Sequence, residues 1–102
     1  MNRYEMMVGL TVKNDQVYND YREAMKPILA EYEGGFRFDF KVSETLVPVS
    51  KNSINRVFAI FFKNEQMMND FFSNPRYLEV KKEYFEKSVV DTTIISQYEI
   101  EI

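Results

Sequence analysis

Three charged side chains alternate along one short stretch, Arg37, Asp39 and Lys41 in Phe-Arg-Phe-Asp-Phe-Lys. On an extended chain residues two apart share a side. A carboxylate between two cations suits the capture of an anionic substrate, with Asp39 as the proton acceptor. It suits equally a charged sheet edge that deters pairing with other chains. Glu5 is a second candidate base, and Arg37 or Tyr77 a candidate to hold a developing negative charge. Arg56 is a candidate substrate-binding cation, or else a strand-end charge in solvent or an ion pair. Tyr18, Tyr21, Tyr32, Tyr77, Tyr84 and Tyr98 offer an apolar wall and a hydroxyl tip in one side chain, for a pocket or for the edge of a core.

Composition narrows the chemistry. The chain has no histidine and no cysteine. That removes the usual haem ligand, the commonest general base, thiolate nucleophiles and most zinc sites. No spacing of Asp and Glu resembles a calcium loop, so the expectation is no metal and no cofactor. With 13 Lys plus Arg against 16 Asp plus Glu the net charge is -3, which does not favour nucleic acid or an anionic membrane as partner. The chain is 45% hydrophobic and 16% aromatic over 102 residues, enough for one packed domain spanning the whole chain, 1–102. The start, Met-Asn-Arg-Tyr-Glu, lacks the apolar run of a signal peptide. No run approaches the roughly 20 apolar residues of a membrane span. A cytoplasmic location is the default expectation.

The elements that must position these residues centre on Arg56–Lys63, Arg-Val-Phe-Ala-Ile-Phe-Phe-Lys. Its apolar residues occupy both faces, so the strand needs a cover on each side. Tyr4–Val12 predicts a strand with Gly9 leaving room for a close neighbour or a ligand. Asn14 predicts an N-cap for a helix Asp15–Glu33, with Val17, Tyr21, Ala24, Met25, Ile28 and Tyr32 inward and Arg22 on the wet side. Pro27 predicts a kink or break, and Gly34-Gly35 a left-handed cap. Phe36–Val42 alternates as a strand, with Phe36, Phe38, Phe40 and Val42 toward the core and Arg37, Asp39 and Lys41 away from it. Leu46–Asn55 reads as a loop. Asn64 caps a second helix with the stripe Met67, Met68, Phe71 and Phe72. Asn74-Pro75 restarts it, with Tyr77, Leu78, Lys81, Tyr84, Phe85 and Ser88 inward. Asp91–Ile102 reads as the last strand, with Ile94, Ser96 and Tyr98 on one face.

The order βαββαβ predicts an α+β, ferredoxin-like fold with one four-stranded antiparallel sheet and both helices on one face. The other face of the sheet is then bare and apolar. The economical cover is a second copy, so a homodimer through the sheet face is expected. The residues Tyr18-x-x-Tyr21-Arg22 and Gly34-Gly35, then Val57–Phe62 and Phe72-x-Asn74-Pro75-x-Tyr77, resemble an uncharacterised stand-alone family of dimeric α/β-barrel proteins across nearly the whole chain. The resemblance implies a fold shared with cofactor-free monooxygenases, muconolactone isomerases and haem-degrading enzymes, and it marks Tyr21 and Tyr77 as the tyrosines that match. The missing histidine departs from the haem-degrading branch. The same strand order occurs in RNA-recognition domains, but the acidic balance and the absence of a basic stripe speak against RNA.

Three functions remain open on the sequence. One is a cofactor-independent oxygenase or isomerase acting on a small organic substrate. Another is a non-catalytic dimeric ligand-binding or sensory module, and the third is a structural dimer without a cavity. A cleft of about 300 Å³ or more between helices and sheet separates the third from the others. A buried acid near the tyrosines separates the first from the second. Any ligand is expected near Tyr21 and Tyr77.

Overall fold

The two-sided central strand lies inside the sheet. In the computed structural model, which describes residues 1–102, β1 (Asn2–Val12), β2 (Gly35–Lys41), β3 (Arg56–Phe62) and β4 (Val89–Glu101) form one sheet in the order β2-β3-β1-β4. All three pairings are antiparallel. Helix α1 (Asp15–Glu31) connects β1 to β2, and the β3–β4 connection holds α2 (Glu65–Ser73), α3 (Pro75–Val80), a π-helical turn at Lys81–Phe85 and the short α4 (Glu86–Ser88). Phe58, Ile60 and Phe62 point to the helices, where they join Met6, Val8 and Leu10 with Tyr18, Met25, Leu29, Met68 and Phe71 in the buried core. Val57, Ala59 and Phe61 alternate to the opposite, open face. No helix is long and apolar enough to cross a membrane.

The helix starts follow the cap residues. The Asn14 side chain accepts from the Val17 N–H at 3.0 Å, and Asn64 does the same for Met67 at 2.8 Å. Asn74 accepts from Arg76 and precedes Pro75 at the first position of α3. Helix α1 ends two residues earlier than its sequence suggests, and its left-handed residue is not a glycine: Glu33 has φ 53° and no glycine has positive φ. The Glu33 N–H reaches the Ala30 carbonyl and the Gly34 N–H the Leu29 carbonyl, each at 3.1 Å, the bonding of a Schellman cap. Gly34 serves close approach instead. A Cβ there would lie 2.7 Å from the Phe61 carbonyl oxygen and would overlap the Leu29 side chain. Pro27 does not break the helix. It is exposed within an unbroken α1, and the carbonyl it leaves unbonded is that of the exposed Glu23.

Slips of register change which side chains share a face. In β2 the register slips between Phe36 and Phe38. Phe36 therefore packs on the helix side, while Phe38 and Phe40 turn to the open face, 39% and 54% exposed. Asp39 lies on the helix side, so the expected core face of this strand holds only in its first residue. In β4 a slip opposite Met7–Val8 places Ile94 and Ser96 on different faces. On the helical side the buried stripe of α1 is Tyr18, Tyr21, Arg22, Met25, Ile28 and Leu29, with Val17 and Ala24 at its margin. Leu78, expected inward, is 46% exposed. The space beside Gly9 is taken by the Ile54 side chain, whose Cδ1 would stand 2.8 Å from an added Cβ. The 42–55 loop is tied over this end of β1 by the Asn55 side chain, which bonds both the N–H and the carbonyl of Val12 at 2.8 Å.

Candidate functional site

A cleft of about 390 Å³ lies between the helices and the sheet. Its floor is Met6, Val8 and Leu10 of β1 with Phe58 and Ile60 of β3. Tyr18, Tyr21 and Arg22 of α1 form one wall, and Tyr77, Lys81 and Phe85 another. The cleft extends toward β4, where Thr92, Ile94 and Gln97 line it and remain exposed. The covering segment between β3 and β4 is short of one continuous helix. It restarts at Asn74-Pro75 and widens into the π-helical turn, where the Glu86 N–H reaches back to the Lys81 carbonyl. Such interruptions leave room that a straight helix would fill. Pro27 has no part in this, since it faces solvent.

Tyrosine hydroxyls supply the polar points of the wall. Tyr21 and Tyr77 hydrogen-bond to each other at 2.8 Å, both nearly fully buried. Their rings meet edge to face at 6.3 Å, and Phe85 packs 5.1 Å from Tyr21. Burial pushes the Tyr77 hydroxyl up to about 12. Burial and the neighbouring Tyr77 raise Tyr21 well above its ordinary value. Both phenols are therefore neutral near pH 7, able to donate a hydrogen bond to an oxygen anion and unfit to act as bases. One hydroxyl proton of the pair is committed between them, and the other is free to serve a bound molecule.

Arg22 anchors the adjoining network. It is 6% exposed, donates from Nε to the Tyr18 hydroxyl at 2.8 Å, and lies 4.0 Å over the Phe36 ring. Its other nitrogens reach both oxygens of Asp39 at 3.0 and 3.3 Å. Arg56 holds the same carboxylate with two bonds of 2.8 Å. Partial burial opposes ionisation of Asp39, but the bonds from Arg56 and Arg22 outweigh it and leave its pKa below the ordinary value. A carboxylate held by two arginines is a poor proton acceptor.

Glu5 and Arg37 meet elsewhere. On the open face Arg37 donates to both oxygens of Glu5 at 2.7 Å, and the Tyr98 hydroxyl donates to Glu5 at 2.6 Å. The Arg37 hydrogen bond lowers the Glu5 pKa against a smaller opposing effect of burial. β3 makes way for this crossing with the methyl of Ala59. Phe61 turns its ring over Gly35, where an added Cβ would lie 2.9 Å from Cζ. The structure thus divides the candidate residues into three places. Tyr21 and Tyr77 stand together in the cleft. Asp39 and Arg56 sit behind it, linked through Arg22. Glu5 and Arg37 lie across the sheet. No Asp or Glu lines the cleft, and no three carboxylates converge into a metal-binding group.

Of the two lining cations, Arg22 lies off the face that the sequence predicts for it and Lys81 lies on it. The sequence predicts the wet face for Arg22, yet Tyr18, Arg22, Met25 and Leu29 recur at helical spacing one position along from Val17, Tyr21, Ala24 and Ile28. An arginine hides in such a stripe because its charge counts as polar while its stem and planar face pack as apolar surface. Lys81 stood out as a cation on an inward face, and that face is the cleft wall.

Comparison with known proteins bears on the fold. No protein-family model matches the chain, and no curated protein matches it. Solved structures do. One is a protein of unknown function from Rhodopseudomonas palustris, 13% identical, covering 97% of this chain and 81% of that one, with a TM-score of 0.75. Another is a dimeric protein of unknown function and ferredoxin-like fold from Bacteroides fragilis, 16% identical, covering 96% of each chain at 0.61. The fold is ferredoxin-like. A third neighbour of the same fold is SnoaB, a cofactor-independent oxygenase from Streptomyces nogalater, 10% identical, covering 94% of this chain and 93% of that one at 0.60. Identities this low establish shared architecture and leave activity to the site itself.

Proposed function

We propose that this ferredoxin-like protein binds a small organic molecule in the cleft between helices and sheet, and that it does so as a homodimer joined through the open sheet face. The observation that carries the reading is a cleft of about 390 Å³ with mainly apolar walls and the buried Tyr21–Tyr77 hydroxyl pair in one of them. That volume is in the range of sites for small ligands, and a few fixed polar groups in an apolar wall are their usual form. The open face supports the dimer, since Phe38 and Phe40 stack there at 6.0 Å and remain solvent-exposed. The dimeric Bacteroides fragilis neighbour supports it too.

Cofactor-independent oxygenation or isomerisation is the second reading. Neutral phenols in a dry wall favour it, because they would stabilise an enolate or phenolate oxygen of a substrate. The likeness to SnoaB supports the same reading. With no carboxylate in the cleft, such a substrate would have to enter already ionised or lose its proton to solvent. Binding without turnover remains the reading the walls support best.

Naphthol is a suitable probe, with an aromatic body and one hydroxyl. Met6, Met25 and Met68 line the cleft, so their methyl NMR signals should shift on titration while those of Met1 and Met67 stay. Tyr77→Phe should weaken the binding by roughly 1–2 kcal/mol, as for loss of one hydrogen bond. Unmoved cleft methyls at saturating probe would overturn the placement. Oxygen uptake with an enolisable aromatic ketone, measured by electrode, tests the catalytic reading separately.

A further inference from the structure

We infer that the ligand of this cleft is a small organic carboxylate with an apolar body, and that the Lys81 ammonium receives its charged end. The inference rests on the cleft reading above and adds the charge of the occupant. Lys81 lies on the cleft wall at the start of the π-helical turn, a feature that recurs at functional sites. Lys13, Lys51, Lys81, Lys82 and Lys87 are the cationic side chains outside every ion pair, and Lys81 alone among them is not exposed. Its ammonium forms no hydrogen bond with the protein. No buried side-chain nitrogen lacks a partner, so this ammonium is reached by water and is open to an incoming anion, with which it can form a charge-assisted hydrogen bond.

The surroundings agree on the sign. No acidic side chain lines the cleft, so nothing there competes for the ammonium. Arg22, the other lining cation, already has Asp39 for a counter-charge. The chain as a whole is acidic, at -3, which leaves this uncompensated positive point as a local exception. Around it the walls are apolar: Met68, Phe72, Phe85 and Ile94 offer contact to a hydrocarbon or aromatic body. An apolar body with one carboxylate satisfies both.

Naphthoate and naphthamide share a ring system and differ in charge, so together they isolate the lysine. Titrated separately and followed by the Met6, Met25 and Met68 methyl signals, the wild type should bind naphthoate about tenfold more tightly than naphthamide, the scale of one partly exposed charge-assisted hydrogen bond. Lys81→Met keeps the apolar stem and should abolish that preference, weakening naphthoate binding more than naphthamide binding. Lys81→Arg keeps the charge and should retain it. Thermal unfolding of each variant checks that the fold is intact. Equal binding of the two probes by the wild type, or a preference that survives in Lys81→Met, overturns the carboxylate assignment while the cleft stands. Failure of both probes to move the cleft methyls overturns the cleft reading and this inference with it.

Discussion

Glu5 shows how much one residue's meaning depends on its partners. It is fully buried on the sheet face that carries no helix. Arg37 from β2 and Tyr98 from β4 converge on it across the sheet. A buried carboxylate without them would be strongly unfavourable, so the cluster stabilises the ionised form. The Arg37 hydrogen bond depresses the Glu5 pKa from 4.5. The unfolded chain therefore binds the proton more readily than the folded one. The stabilisation is present above the unfolded value and is lost as pH falls through the lower folded value. Asp39 shifts in the same direction. The urea midpoint should fall between about pH 6 and about pH 3, and the fall should be smaller in Glu5→Gln. An equal fall in both proteins would mean that Glu5 contributes none of it. Glu5 at the centre of such a cluster has its carboxylate committed to protein partners, as Asp39 has between its two arginines.

At the scale of the element, chain breaks and slips build the site. The tight turn from α1 into β2 rests on Gly34, pressed between the Leu29 side chain and the Phe61 carbonyl. Gly34→Ala should cost about 1–3 kcal/mol, because the added carbon meets backbone that has no room to yield. Chemical denaturation measures it, and a change below about 0.5 kcal/mol would show that the turn relaxes freely. The β2 bulge has a different consequence. One extra residue sends Arg37 toward Glu5 and Asp39 toward Arg22, so two neighbours in a single charged stretch serve opposite faces. Beyond β3, the restart at Asn74-Pro75 and the π-helical turn put Tyr77, Lys81 and Phe85 around the cleft.

For the whole molecule the unanswered surface is the open face of the sheet. One layer of helices covers one side, and exposed aromatic residues occupy the other. A single four-stranded sheet leaves this side wet unless another chain is applied to it. Light scattering at micromolar concentration should give about twice the 12.2 kDa chain mass. Phe40→Asp should reduce it to the single-chain mass with little loss of fold, because Phe40 is 54% exposed within one chain. A wild-type species of one chain's mass would remove the dimer. Phe58, by contrast, is a core residue at 8% exposure, and a charge there would damage the fold before it reported on association.

The order of elements, both asparagine-capped starts, the Pro75 restart and the strand that needs two covers were legible in the sequence, because each is written in local periodicity or in the chemistry of one turn. That Tyr21 and Tyr77 both turn inward was legible from their helical spacing, but that their hydroxyls meet was not. What only the tertiary structure decided are the facts that depend on register and on distant partners. The alternation of Phe36 to Lys41 is perfect in the sequence, yet a single bulge reverses the faces of Phe38 and Phe40, since side-chain direction in a strand changes with each residue inserted. Arg22 became a core residue because Asp39, Tyr18 and Phe36, from two other turns of chain, satisfy its charge and its plane together. The lowered pKa values of Glu5 and Asp39 have the same origin: a carboxylate's pKa is set by which arginines the fold brings to it, and these lie from 17 to 32 residues away along the chain.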